Sequence, residues 1–172
     1  MREMENSNLD KIKKARKYKI LPHRYLEEYD QSLWVDGNFM ILNDINKFIK
    51  KFAKQTSMMC IAHPDRECIY EEAEVCIKVK KDSEEIISKQ INKYSLEKYP
   101  PNNGLIASGI LYRKHNDPQV IKLMEDWWKE VKLHSRRDQL SYNYVCWKNR
   151  FHYDECDLLY WNNKYFNRLE HK

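Results

Sequence analysis

Three short segments of this 172-residue sequence carry side chains whose types and spacing suit chemistry on a phosphorylated ligand. The first is Asp36-Gly37-Asn38, which leaves the apolar run Ser32–Val35. A carboxylate and an amide at i and i+2 offer two oxygens to a hard cation such as Mg2+ or Mn2+, and such a cation can bridge a diphosphate. The glycine between them lets a bulky ligand approach. A simple hairpin turn accounts for the same three residues, because Asp-Gly and Gly-Asn are both strong turn signals. The second segment is Gly104–Arg113, GLIASGILYR, where Gly104 and Gly109 admit a close neighbour and Ser108 adds a polar contact. A strand crowded by a helix reads equally well there. The third is Arg136-Arg137-Asp138-Gln139, placed where a helix begins. A helix start favours anions, and Asp and Gln hydrogen-bond sugar hydroxyls; capping and solvated charge form the plainer explanation.

Glycine usage draws attention to the first two segments. The chain has only 3 Gly, and all of them fall there. A further cationic run, Lys11, Lys13, Lys14, Arg16, Lys17 and Lys19, reads as a solvated helix face, a diphosphate contact or an anionic-membrane contact. Six scattered His lack a metal-binding spacing, and no G-x-S-x-G, P-loop or dinucleotide fingerprint occurs, which argues against hydrolase, NTPase and Rossmann dehydrogenase functions.

The elements that must hold these segments follow from periodicity. Residues 1–8 are polar and expected to fray; 9–19 form a basic helix that Pro22 ends. Strands are expected at 32–36 and 39–42 around a tight turn, at 57–62 and at 104–113. Helices are expected after Asp44, over roughly 66–80 and 83–94, and along the stripe Val120, Met124, Trp127, Trp128, Val131. Ser135 is expected to N-cap a last helix through a capping box with Asp138, and 151–153 and 157–161 to form short terminal strands. Short buried strands alternating with helices indicate an α/β class, with no internal boundary in residues 1–172.

Composition narrows the setting. With 42% hydrophobic residues, 12 Tyr, 5 Trp and 5 Phe, the chain has ample bulk for a core. No apolar run approaches the roughly 20 residues of a transmembrane helix, and no apolar segment follows the N-terminal charges as in a secretory signal. The five Cys form no C-x-x-C pair and read as buried reduced thiols in a cytoplasmic protein. A net charge of +5 permits an anionic ligand without calling for nucleic acid, which is not expected as a partner.

Four blocks, KARKYKILPHRYLEEYDQSLWVDGN, HPDRECIYEEAEVCI, GLIASGILYRKHN and WWKEVKLHSRRDQLSYNYVCWK, occur in an order that resembles the TOD/MUCI-type glycosyltransferase-like domain over roughly residues 11–150. More distantly the chain is similar to glycogenin-type retaining glycosyltransferases of the GT-A fold. The resemblance implies a GT-A-like mixed sheet flanked by helices. It also implies transfer of a sugar, with retention, from a nucleotide-sugar donor to a surface or cell-wall glycan acceptor. By the same resemblance, Asp36 and Asn38 would bind Mn2+ or Mg2+, with His171 as a third metal ligand. Arg16 and Lys19 would face the donor phosphates, and Arg137 would also bind the donor. Ser108 and Gly109 would sit beside the sugar, and Asp138 and Gln139 would hold it and shape the reacting face.

Two departures qualify the expectation. Asn38 stands where the family relatives in the wider fold carry a second Asp, which weakens a metal site. The opening strand and helix that hold the nucleotide base normally precede the first block, so the sheet is expected to lack these N-terminal strands. The alternative function is therefore a truncated, inactive GT-A-like scaffold that acts as a binding module. An uncovered sheet edge is compatible with a homodimer, and the basic run with peripheral contact at the inner face of the membrane.

Overall fold

A computed structural model of the chain describes residues 9–169. Among these, six α-helices flank a mixed four-stranded sheet, and a two-stranded ribbon lies apart from it. The sheet comprises β1 (Ser32–Val35), β3 (Met58–Ala62), β4 (Ile106–Arg113) and β5 (Asp154–Cys156), in the order β1-β4-β3-β5. β2 (Phe39–Ile41) pairs instead with β6 (Phe166–Arg168), Phe39 opposite Arg168. The architecture is the expected α/β class and is compatible with a GT-A-like fold.

The strand directions decide where a site can form. β4 runs antiparallel to both of its neighbours, β1 and β3, and β5 runs parallel to β3. β1, β3 and β5 therefore release the chain at one and the same end of the sheet, as open α/β sheets do at their ligand crevices. Residues 36–38, 63–66 and 157–161 all leave from that end.

β4 is interrupted there. Cys60 faces Leu111, yet the next residue, Ile61, faces Ala107, so Ser108, Gly109 and Ile110 bulge away from β3. On the other side the pairing with β1 holds, Val35 opposite Ile110, and the Asp36 N–H donates to the Gly109 carbonyl at 2.8 Å. A bulge of this kind re-aims the strand locally.

The helices close the core around the sheet. α1 (Lys11–Ile20) is capped by Asp10, whose Oδ1 accepts from the N–H groups of Ile12 and Lys13 at 2.9 and 3.0 Å. Its last turn enters the interior: Lys19, Ile20 and Leu21 are fully buried. α5 (Pro118–Leu133) starts with Asp117 as cap and Pro118 in the first turn, where proline's missing N–H costs nothing. Its stripe of Val120, Met124, Trp127 and Val131 is buried against Tyr142 and Tyr144 of α6 (Gln139–Asn149). α2 (Ile45–Phe52), capped by Asp44, packs Phe48 on Tyr165 and Phe166 of the ribbon side. α3 (Ile69–Lys78) and α4 (Glu84–Leu96) cover the remaining face beside Leu140. All five Cys are free and buried, as expected for reduced thiols. Among the described residues no helix is long and apolar enough to cross a membrane.

Several local expectations need correction. The two strands around Asp-Gly-Asn do turn, with the Phe39 N–H bonded to the Asp36 carbonyl at 3.0 Å, but they do not pair with each other; each finds a partner far along the chain. Ser135 does not cap the last helix. Its Oγ donates to Asp82 Oδ2 at 2.8 Å, and the helix begins after Asp138. The terminal strands lie at 154–156 and 166–168, not at 151–153 and 157–161, because 157–161 crosses the open end of the sheet. The basic run is not a uniformly solvated face, since Lys19 is drawn inside.

Candidate active site

The open end of the sheet forms a cavity of about 600 Å3. Arg16 of α1, the Asp36-Gly37-Asn38 turn, Ala107 with Ser108 and Gly109 of the bulge, and Arg137 with Gln139 at the start of α6 all line it. These positions were singled out separately in the sequence, and the sheet brings them together. Gly104 does not join them; it sits at φ +81° beside Asn143 and Tyr153. The His171 position lies outside the described residues. A second cleft of about 750 Å3, beside Trp147, Arg150 and Phe151, contains none of the residues expected to act.

Lys19 and Asp138 lie under the cavity wall, each 0% exposed, and neither lines it. Both stand behind the wall, in contact with residues that do line it. Lys19 Nζ stands 2.6 Å from Asp138 Oδ2, donates to Ser108 Oγ at 3.0 Å, and lies 3.9 Å from Asp36 Oδ1. Arg16 Nε adds a second cation 3.5 Å from Asp138. Burial alone would raise the Asp138 pKa, but Lys19 and then Arg16 outweigh it and hold the carboxyl at about 2. Burial pulls the Lys19 ammonium below the ordinary lysine range, with Asp138 opposing. One ammonium thus ties the α6 start, the bulge and the acidic turn into a single charged floor. Asp138 makes no capping bond to its own helix because its carboxylate is committed to this cluster.

This cluster carries a pH prediction. The folded-state pKa of Asp138, about 2, lies below its ordinary 3.8, so the stabilisation is complete above the ordinary value and is lost as pH falls through about 2. Its size is about 2 kcal/mol. Urea unfolding from pH 5 to pH 2 should show this acid-side loss, and the Asp138→Asn protein should lack that component.

At the acidic turn, Asp36 Oδ1 accepts from the Trp34 indole N–H at 2.6 Å, and its side chain is 30% exposed. Its Oδ2 lies against Gly109. Asp36 and Asn38 are oxygen donors of the type a hard cation takes, so the residues fit Mn2+ or Mg2+ in kind. Among the described residues no group of three His, Cys, Asp or Glu side chains is placed to hold a metal ion. The Asn38 carbonyl accepts from the Leu169 N–H at 2.7 Å, which pins the end of the described chain beside this turn.

Sequence reasoning missed the contribution of 157–169. Tyr160, Trp161 and Arg168 all line the cavity. Tyr160 packs edge-on against Phe39, its centroid 5.2 Å away, and the Arg168 guanidinium lies 4.0 Å over the Trp161 ring. Burial and then Asp36 push the Tyr160 hydroxyl up to about 12, so it remains a proton donor at neutral pH. Aromatic residues followed by a cation in a segment with weak strand pattern were the only signal in the sequence.

Gly109 explains its own identity. A Cβ there would fall well inside contact distance of the Tyr160 hydroxyl and 3.2 Å from both Asp36 Oδ2 and Phe39. Gly109→Ala is expected to cost about 1–3 kcal/mol by overpacking. Combining it with Tyr160→Phe, which deletes the clashing oxygen, should restore most of that loss in urea unfolding. Equal destabilisation of the single and double variants would refute the contact.

Fold and cavity together define an α/β protein with one highly charged crevice at the carboxyl ends of its parallel strands. The chain belongs to the TOD1/MUCI70 glycosyltransferase-like domain family, whose family model matches residues 4–171, nearly the whole chain. Neither the comparison with curated proteins nor that with solved structures returned a match.

Proposed function

We propose that the chain is a glycosyltransferase that moves a sugar from a nucleotide-sugar donor to a hydroxyl of a surface or cell-wall glycan, with retention of configuration. Membership in a glycosyltransferase-like family supports the general activity. The single observation that carries the assignment to this cavity is the convergence of Asp36, Ser108, Gly109, Arg137 and Gln139, from three distant parts of the chain, on one crevice. A position on the cytoplasmic side of a membrane, where nucleotide sugars are made, belongs to the same proposal.

In the transfer, the acceptor oxygen bonds to the anomeric carbon and the bond from that carbon to the diphosphate breaks. The hydroxyl proton passes to the departing phosphate oxygen on the same face. Arg16 and Arg137 surround the diphosphate with fixed positive charge, held in place by Asp138 and by the Arg137–Gln139 bond of 2.6 Å. Ser108 accepts from Lys19 and so keeps its own proton for a sugar or phosphate oxygen. Gln139, whose amide also donates to the Ile106 carbonyl at 3.1 Å, presents its remaining N–H rigidly. Asp36 and Asn38 would hold Mn2+ or Mg2+, which supplies Lewis-acid neutralisation of the leaving group.

The test is thermal unfolding with UDP or GDP in the presence of Mn2+. At a hundredfold excess over Kd, binding stabilises by about 2.7 kcal/mol, a rise of roughly 5–10 °C for a chain of this size. Absence of any shift with either nucleotide would count for an inactive scaffold. Gly37→Ala offers a subtler check. Nothing lies within 4 Å of the added methyl, so stability should stay within about 0.5 kcal/mol while nucleotide affinity falls.

A further inference from the structure

The cavity lining holds further charges to which the transfer step gives no direct role. They come from the loop after β3 and from α3. Glu72, 4% exposed, accepts from Arg66 Nε at 2.8 Å through Oε2, and its Oε1 lies 3.9 Å from Arg137 Nη2. His63 Nε2 is 3.8 Å from the same carboxylate, and the His63 Nδ1 accepts from the Asp65 N–H at 3.3 Å. Burial, opposed by Glu72, lowers the His63 pKa, so this ring is neutral near pH 7. Glu72 is thus a buried post that fixes Arg66 by one nitrogen. The two terminal nitrogens of Arg66 have no acceptor among the described residues, and the guanidinium lines the cavity. Lys81, also in the lining, has no acidic partner among them.

The lining carries five Lys or Arg (Arg16, Arg66, Lys81, Arg137, Arg168) against three acids (Asp36, Asp65, Glu72). A diphosphate held near Arg16 and Arg137 leaves the two terminal nitrogens of Arg66, whose Nε alone meets Glu72, and the Lys81 ammonium to meet a further anion. Trp161 lines the same crevice with the Arg168 guanidinium over one face of its ring, and the Asp65 carboxylate accepts from hydroxyls.

We propose that this part of the lining is an acceptor subsite for an anion-bearing saccharide, its carboxylate or phosphate held by Arg66 and Lys81. The proposal rests on the transferase assignment for its meaning, but its binding test does not. The chain, saturated with pyrophosphate, is titrated calorimetrically with a hexuronate tetrasaccharide, with mannose 6-phosphate and with neutral maltotetraose. At least one of the anionic sugars should bind more tightly than the neutral one by at least about tenfold, and the two anionic arms separate carboxylate from phosphate recognition. Arg66→Gln and Lys81→Gln should each weaken that sugar by about tenfold while leaving pyrophosphate affinity within about twofold. Lys81 is exposed and its side chain supports no described contact, so its substitution leaves folding intact even where Arg66→Gln does not. Equal affinity for the neutral sugar, unchanged binding in Lys81→Gln, or displacement of pyrophosphate by the anionic sugar would overturn the subsite. If an anionic sugar binds as described but no diphosphate or nucleotide binds, the subsite stands and the donor assignment fails; diphosphate binding with only neutral sugars gives the reverse.

Discussion

Asp138→Asn is expected to destabilise the protein by about 3–5 kcal/mol. The substitution keeps the volume and removes the carboxylate closest to Lys19, leaving a fully buried ammonium, with Arg16 Nε beside it, short of its main counter-charge. Asp36, at 3.9 Å and part-exposed, compensates weakly. Lys19→Met should be costly for the mirror-image reason. Replacing both together, Lys19→Met with Asp138→Leu, should recover much of the loss, because a whole buried pair exchanged for apolar groups is often close to neutral. Arg16 tolerates this double change, since its side chain is 18% exposed and can turn to water. Urea unfolding of the three proteins checks it. A loss below about 1 kcal/mol in Asp138→Asn would contradict the buried cluster. The double variant also separates fold from function: it should fold, yet bind a nucleotide diphosphate poorly, because the charged link between Ser108 and the start of α6 is then gone.

Asp36→Asn carries the largest expected effect on activity. The amide keeps the shape of the turn and can still accept from the Trp34 indole, so stability should change little. What disappears is the negative charge at the end of β1, next to Gly109 and on the rim of the crevice. Transfer should fall by about 10²–10³-fold, the range seen when one preorganised electrostatic contact to a reacting group is removed. The measurement is release of nucleoside diphosphate from the donor, paired with unfolding of the same preparation. Retained activity would take Asp36 out of the site.

The chain's pattern made much of this legible. Periodicity located the helices of the core, and the buried apolar runs located β3 and β4. The rarity of glycine pointed to Gly109, where the structure leaves no room for a side chain. Pairing was harder. β1 and β2 are joined by strong turn residues, and local turn chemistry cannot reveal that each strand's hydrogen bonds are satisfied some 70 or more residues away. Ser135 had a good capping-box spacing but a better partner in Asp82, a tertiary contact invisible to a four-residue motif.

The site shows the same limit. Residue types identified Asp36, Ser108 and the Arg137–Gln139 group, yet gave no sign that Lys19 and Asp138 would be buried under the wall rather than exposed on it. A lysine within a run of lysines looks solvated; only packing of the last turn of α1 against the bulge distinguishes it. Tyr160, Trp161 and Arg168 were hidden because their segment has neither helical nor strand periodicity, and its place is set by β5 and β6 on either side.

The central claim is that the crevice at the carboxyl ends of β1 and β3 handles a nucleotide sugar. Its most direct test is to incubate the protein with a panel of UDP-, GDP- and other nucleotide-activated sugars and Mn2+, and to measure released nucleoside diphosphate. The account predicts release from a defined donor, lost in Asp36→Asn while that variant unfolds like the parent. Folded protein that releases nothing from any donor, or that releases as much with Asp36→Asn, would contradict it.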